Sequence, residues 1–158
     1  MQVGNVPEIV GKVADRLMQE TEGRIRPAER LGIRLGLIEI IRNAIEHGNL
    51  GITYDEKTAA LDGDPSAFER LISERMADPS RKERHVDIRF QMDGAQCEWI
   101  ISDEGAGFDW QSVPDPNDPA NLLSTHGRGI LLTRLNFDAV SYFGRGNQVS
   151  LRKSLPAT

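Results

Sequence analysis

The sequence has one cysteine, Cys97, among 158 residues. That excludes an internal disulfide and any thiolate metal cluster. Cys97 lies in an alternating apolar stretch, so it reads as a small buried side chain rather than a reactive thiol. Histidine is scarce too: His47, His85 and His126 lack the spacing of a zinc site. Basic charge is in deficit, with 19 Lys+Arg against 24 Asp+Glu and a net charge of -5. A nucleic-acid partner, which calls for a basic patch, is therefore not expected. No apolar run approaches the roughly 18 residues of a membrane span. The stretch Met1-Gln2-Val3-Gly4-Asn5 has neither the basic region nor the apolar core of a signal peptide, so a cytoplasmic location is expected. The P-loop pattern is missing, and the dinucleotide fingerprint lacks its third glycine. No internal repeat or low-complexity tract occurs. What remains is 39% hydrophobic and 27% charged, the composition of a folded chain. Its length suits one domain spanning residues 1–158.

The chain is organised around one long helix. Pro27 suits its first turn, and Gly48 closes it with Asn49 and Gly51 just beyond. Leu31, Leu35, Ile38, Ile41 and Ile45 recur at steps of three and four and mark a buried face. Ile33, Leu37, Ile40 and Ala44 widen it, so the helix belongs in a core between a sheet and other helices. Glu39, Asn43 and His47 follow one another at intervals of four and stack along one face. Such a stack fits either the wall of a cleft or a flank lying in water.

Ahead of this helix, Pro7 to about Thr21 carries Ile9, Val10, Val13, Leu17 and Met18 at helical spacing, with Gly23 as its stop. Residues 54–84 form a polar insertion with two short helical patterns. Asp64 is its N-cap, Pro65 sits in a first turn, and Phe68, Leu71, Ile72 and Met76 form a stripe. The run Arg81-Lys82-Glu83-Arg84 reads as a solvated face. The period then switches to two: Val86, Ile88 and Phe90 alternate with polar residues, Asp93-Gly94 turns, and a strand runs from Gln96 to Ser102. An irregular, proline-containing stretch covers Gly105 to His126, a length typical of a functional lid or a disordered loop. A helix from about Gly127 to Asn136 follows. A last hairpin joins Ala139–Phe143 to Val149–Arg152, and Gly144 and Gly146 are assigned wholly to its turn.

Two further stretches bear chemistry. Asp103-Glu104-Gly105-Ala106-Gly107 ends an apolar strand that should be central in its sheet. A carboxylate fixed there accepts hydrogen bonds and suits an exocyclic amino group, while the glycines admit close approach of a flat ligand. A tight turn capped by Asp fits the same residues. Thr125-His126-Gly127-Arg128-Gly129-Ile130 opens a helix with small residues. Its free N–H groups and dipole suit phosphate, and Arg128 adds a charge-assisted contact. An ordinary flexible loop running into a helix fits as well.

The order of these pieces resembles the GHKL ATPase superfamily of gyrase, Hsp90 chaperones, histidine kinases and MutL. Within it the chain is most similar to bacterial anti-sigma-factor serine protein kinases. Three lines carry the resemblance: Glu39-x-x-x-Asn43-Ala44-x-Glu46-His47-Gly48-Asn49; Asp103-Glu104-Gly105-Ala106-Gly107-Phe108-Asp109; and Asp115-Pro116-x-Asp118-Pro119-x-Asn121-Leu122, leading into Gly127-Arg128-Gly129-Ile130. It covers roughly residues 6–153.

The resemblance implies an α/β two-layer sandwich: a mixed, mainly antiparallel sheet with helices on one face, and a lid over about residues 108–126. It implies ATP and Mg²⁺ as cofactors. Glu39 would be the general base and Asn43 the Mg²⁺ ligand. Asp103 would read the adenine amino group, with Gly105 and Gly107 shaping its pocket. Thr125, Gly127, Arg128 and Gly129 would wrap the phosphates, and His47 would support the helix end. The activity implied is serine/threonine phosphorylation of a STAS-type antagonist protein in a partner-switching pathway that controls a sigma factor or similar target, with a homodimer as a further expectation. The alternative is an ATP-binding regulatory module with little or no kinase activity. A histidine kinase's catalytic domain is disfavoured by the lack of a dimerisation helix with a phospho-accepting histidine, and by the acid at position 39. Two features depart from the family pattern. Only Met1 to Asn5 is available for the strand that commonly precedes the first helix, and the 54–84 insertion is longer than in the shortest relatives.

Overall fold

The computed structural model describes residues 1–64, 66–109 and 128–156. Thr125, Gly127, Pro65 and all but the first two residues of the expected lid lie outside them, as does the side chain of Arg128.

Strand β1 is only Gln2–Val3. A 3₁₀ turn at Pro7–Ile9 leads into α1, Val10–Gln19, which buries Val10, Val13, Ala14, Leu17 and Met18. Helix α2 runs from Pro27 to Asn43, with Glu29 in its first turn and Arg42 in its last, each sign matched to the helix dipole. It does not stop at Gly48. The chain continues as a π-helical turn over Ala44–Asn49, with Leu50 N–H donating to the Ile45 carbonyl at 2.8 Å. Such wide turns are uncommon and cluster at functional sites. The end comes at Gly51, whose φ of 63° favours glycine.

The insertion holds α3 (Tyr54–Asp62), α4 (Ala67–Met76) and the one-turn α5 (Pro79–Lys82). Thr53 caps α3 in a reciprocal capping box with Glu56. Strands β2 (Val86–Met92) and β3 (Gln96–Ser102) form a hairpin. At its turn Asp93 accepts from Ala95 N–H and Gln96 N–H at 2.7 and 2.8 Å. Helix α6 spans Arg128–Asn136, and β4 (Ala139–Phe143) and β5 (Gln148–Ser154) close the chain.

The five strands form one sheet in the order β1-β2-β3-β5-β4, antiparallel at every described pairing. β3 is therefore central. On the helix-covered face Val86, Ile88, Cys97, Trp99, Ile101, Val149 and Leu151 are buried. The opposite face carries Arg89, Gln91 and Glu98. Trp99 anchors the core between Phe90 and Phe137, at centroid distances of 5.4 and 5.7 Å.

The buried side of α2 and the turn that continues it is Ile33, Leu37, Ile40, Ile41, Ala44 and Ile45. Leu31 and Leu35, expected among them, are exposed. The reason lies one residue further on. Gly32 and Gly36 meet α6: a Cβ at Gly36 would press on Phe137, and one at Gly32 would overlap the Asn136 side chain. Close contact of two helices selects small residues at the seam, and the leucines beside them are turned outward.

Candidate functional site

Glu39 and Asn43 lie one turn apart at the end of α2, both half-buried. Helix α6 comes down on the first of them. A Cβ at Gly129 would overlap the Glu39 carboxyl group where it stands, so glycine lets the start of α6 lie against that side chain without moving it. Gly129 is held there by Thr133, whose hydroxyl donates to its carbonyl at 2.8 Å. The structure thus brings Glu39 and Gly129 together across some ninety residues of sequence.

Asp103 follows the last residue of the central strand. Its N–H donates to the Asn147 carbonyl at 2.9 Å, and the Asn147 amide donates back to its carbonyl at 2.8 Å. Gly105 N–H donates to Asp103 Oδ1 at 2.8 Å. The carboxyl group lies against Gly48, where a Cβ would overlap it, and a Cβ at Gly105 would strike the Gly48 carbonyl. The Gly48 assigned as a helix stop is therefore a point of close approach. Burial pushes the Asp103 carboxyl up to about 6, opposed by the Gly105 N–H and by the charges of Arg145 and Arg84. Among the described residues Oδ2 accepts no hydrogen bond, which leaves one oxygen for a donor from outside.

Gly107 and Gly146 are paired features. Phe108 N–H donates to the Arg145 carbonyl at 2.9 Å. A Cβ at Gly107 would overlap that carbonyl, and one at Gly146 would overlap the Phe108 carbonyl. Gly146, assigned wholly to its hairpin, also lets the β4–β5 turn dock on the Asp103 loop. Phe108 meets Tyr142 edge-on, at 5.2 Å between centroids. Burial pushes the Tyr142 phenol up to about 12, with Tyr54 and then the negative charge of Glu39 adding to it. The Asp103 loop and the Glu39 turn thus share one neighbourhood.

His47, third in the expected stack, does not face an open cleft. Its Nδ1 meets the Ile52 carbonyl at 2.5 Å and its ring lies 4.0 Å from that of Tyr54. Burial lowers its pKa.

Several positions to which the motifs gave no role hold the site in place. Asn49 is fully buried. Its Oδ1 accepts from Glu104 N–H at 2.8 Å, and its Nδ2 donates to Asn5 Oδ1 at 2.8 Å. Asn5 in turn donates to the carbonyls of Arg81 and Arg84 at 2.8 and 3.0 Å. The run 81–84 is not merely a solvated face. Arg84 donates to the Asn49 carbonyl at 2.9 Å, Arg81 to that of Leu50, and Arg75 to that of Gly51 at 3.4 Å. Three guanidiniums thus sit on three consecutive carbonyls at the negative end of the central helix. Buried Glu46 pairs with Lys57 at 2.6 Å. In the sequence, a carboxylate two turns past Glu39 and a polar insertion rich in arginine were the available signals.

Among the described residues no group of three or more His, Cys, Asp and Glu side chains could hold a metal ion, and no helix is long and apolar enough to cross a membrane. Arg128 opens α6, but its side chain, like Thr125 and Gly127, is outside what is described.

A family model described as the histidine kinase-like ATPase domain matches residues 3–153. The chain matches none of the curated proteins.

Proposed function

The chain belongs to the histidine kinase-like ATPase domain family, and from that premise we propose that it is an ATP- and Mg²⁺-dependent protein serine/threonine kinase of a partner-switching pathway. The observation that carries this reading is the placement of Glu39: a carboxylate one turn before an amide, lying against the glycine that opens α6. A domain that only binds nucleotide has no use for a base at the point where phosphates meet a helix N-terminus.

Asp103 reads the adenine amino group through Oδ2, in a loop fixed by Gly48, Asn147 and Arg145. The start of α6 presents N–H groups and the positive end of its dipole to the phosphates. Asn43 would hold Mg²⁺ by its amide oxygen. One protein ligand suits a cation whose remaining positions are phosphate oxygens and water. When bound, that ion supplies charge neutralisation to the phosphates. Glu39 takes the proton of the acceptor serine as its Oγ bonds to the γ-phosphorus, and the bond to the bridging oxygen of ADP breaks.

The acceptor is proposed to be an antagonist protein of the STAS type, and the regulated target a sigma factor or its equivalent. Incubation with γ-labelled ATP and candidate antagonists tests the reading. Label on an antagonist serine is the expected result. Nucleotide binding without transfer to any antagonist would replace it with that of a regulatory module. Glu39→Gln should lower turnover by about 10²–10⁴-fold while leaving nucleotide affinity unchanged.

A further inference from the structure

We infer that Arg84 and Arg145 are positioning residues for nucleotide choice: from two separate elements they hold the Asp103 side chain in its carboxylate form, and so select a purine with an amino group at its six-position over one with an oxygen there. The inference rests on the proposed reading of Asp103 and names what sets its selectivity.

The Asp103 side chain needs such help. It is packed against Gly48 at the end of the central strand, and a buried carboxylate is costly unless hydrogen bonds or opposite charges compensate it. Gly105 N–H donates to Oδ1 at 2.8 Å, and Oδ2 accepts no hydrogen bond among the described residues. The chemistry turns on one proton. An ionised carboxyl group only accepts hydrogen bonds, which suits an amino group. A protonated one also donates, which suits an oxygen. Whatever sets the protonation state of Asp103 therefore sets which purine it prefers.

Two cations reach it, each fixed through the backbone. Arg84 lies at the end of the insertion and is half-buried. It donates to the Asn49 carbonyl at 2.9 Å, and its own carbonyl accepts from Asn5 at 3.0 Å. Asn49 also accepts from Glu104 N–H at 2.8 Å, so Arg84 and the Asp103 loop are tied to the same residue. Arg145 is exposed in the β4–β5 turn. Its carbonyl accepts from Phe108 N–H at 2.9 Å. Its side-chain stem passes over Gly107, where a Cβ would lie 2.9 Å from the Arg145 Cγ. Arg81 pairs with Asp78, whereas neither Arg84 nor Arg145 has an ion pair among the described residues. Their charge is left to act on Asp103. Burial raises that carboxyl group to about 6, and both arginines act against the rise. Of the other titratable groups nearby, Glu104 accepts from His85 N–H at 2.5 Å and faces the His85 ring at 4.0 Å. His47, next to Gly48, is turned to the Ile52 carbonyl.

Calorimetric titration of adenosine and of inosine into the intact protein, from about pH 5 to about pH 8, tests this. The wild type should prefer adenosine at the upper end, and the preference should shrink as pH falls through about 6. Arg145→Gln and Arg84→Gln should each move that midpoint upward. Each should lower adenosine affinity near the wild-type midpoint by on the order of threefold without weakening inosine. Arg145→Lys keeps the charge and should return the midpoint to its wild-type position. A merely structural role would weaken both nucleosides alike and leave the midpoint where it was. Arg145 is exposed, so its substitution leaves the core untouched even if Arg84→Gln loosens the insertion. Asp103→Asn should remove the pH dependence, which excludes His85 and Glu104 as its source. Wild-type binding indifferent to pH, or a dependence that survives Asp103→Asn, overturns the adenine reading and this inference with it. A midpoint that Asp103→Asn abolishes but that Arg145→Gln and Arg84→Gln leave in place overturns the inference alone.

Discussion

Asp103 carries opposing demands in one side chain. Its position between Gly48 and the central strand desolvates the carboxyl group and raises it to about 6, above the ordinary carboxylate value. A group raised in the folded state favours folding when protonated, so its burden is absent below the unfolded value and full once pH exceeds about 6. Asp103→Asn should therefore stabilise the nucleotide-free protein at pH above 6, by on the order of 1 kcal/mol, and change little at acid pH. Unfolding midpoints at the two pH values check this. Binding should show the reverse. With Asp103 reading the adenine amino group as proposed, the carboxylate is the stronger acceptor, so affinity for adenosine, which has no titrating phosphate, should fall as pH drops through about 6. In Asp103→Asn that dependence should be lost, and affinity should fall about tenfold at neutral pH, the difference between a charged and a neutral acceptor. Calorimetric titration across pH reads both effects.

At the scale of elements, the end of α2 decides where the motifs lie. An α-helix and a π turn meet at Asn43, and the turn delivers Gly48 and Asn49 to the Asp103 loop. The insertion secures the same point through Arg75, Arg81 and Arg84 on successive carbonyls. Its helices bury no side chain fully, so its contribution comes through these polar ties and the partly buried stripe of Phe68, Leu71, Ile72 and Met76 packed on the core. Asn49→Ala would leave the Glu104 N–H and Asn5 Oδ1 without their partner. It should cost about 2–4 kcal/mol of stability, one or two buried groups unpaired. Because it loosens the Asp103 loop proposed to hold adenine and not Glu39, the nucleotide KM should rise while kcat at saturation holds. Steady-state kinetics at two nucleotide concentrations separate this from a general loss of fold, which would lower the active fraction instead.

For the molecule as a whole, stability rests on one core between the sheet and the layer of α1, α2 and α6. Leu37, fully buried at the middle of α2, is the place to probe it. Leu37→Ala should destabilise by about 2–5 kcal/mol, read from denaturant midpoints. Nucleotide should act on the same scale. A ligand at about a hundred times its Kd adds about 2.7 kcal/mol, which in a chain of this size raises the midpoint by about 5–10 °C. Asp103→Ala should abolish that shift for adenine nucleotides.

The order of helices and strands, the central place of the strand ending at Ser102 and the positions of Glu39, Asn43 and Asp103 were legible because each is a local property. Periodicity, a turn dipeptide and short motifs are read within a few residues. The same local reading sent Leu31 and Leu35 to the core, since an apolar side chain at helical spacing looks identical whichever way its neighbour packs. Only the tertiary structure decided that Gly32 and Gly36, not the leucines, meet α6. It alone made Gly48, Gly105, Gly129 and Gly146 sites of close approach, and joined Asn5, Asn49 and Glu104. Contacts between residues roughly forty to a hundred positions apart depend on how the layers stack, and the steric room at a glycine has no meaning until another part of the chain arrives there.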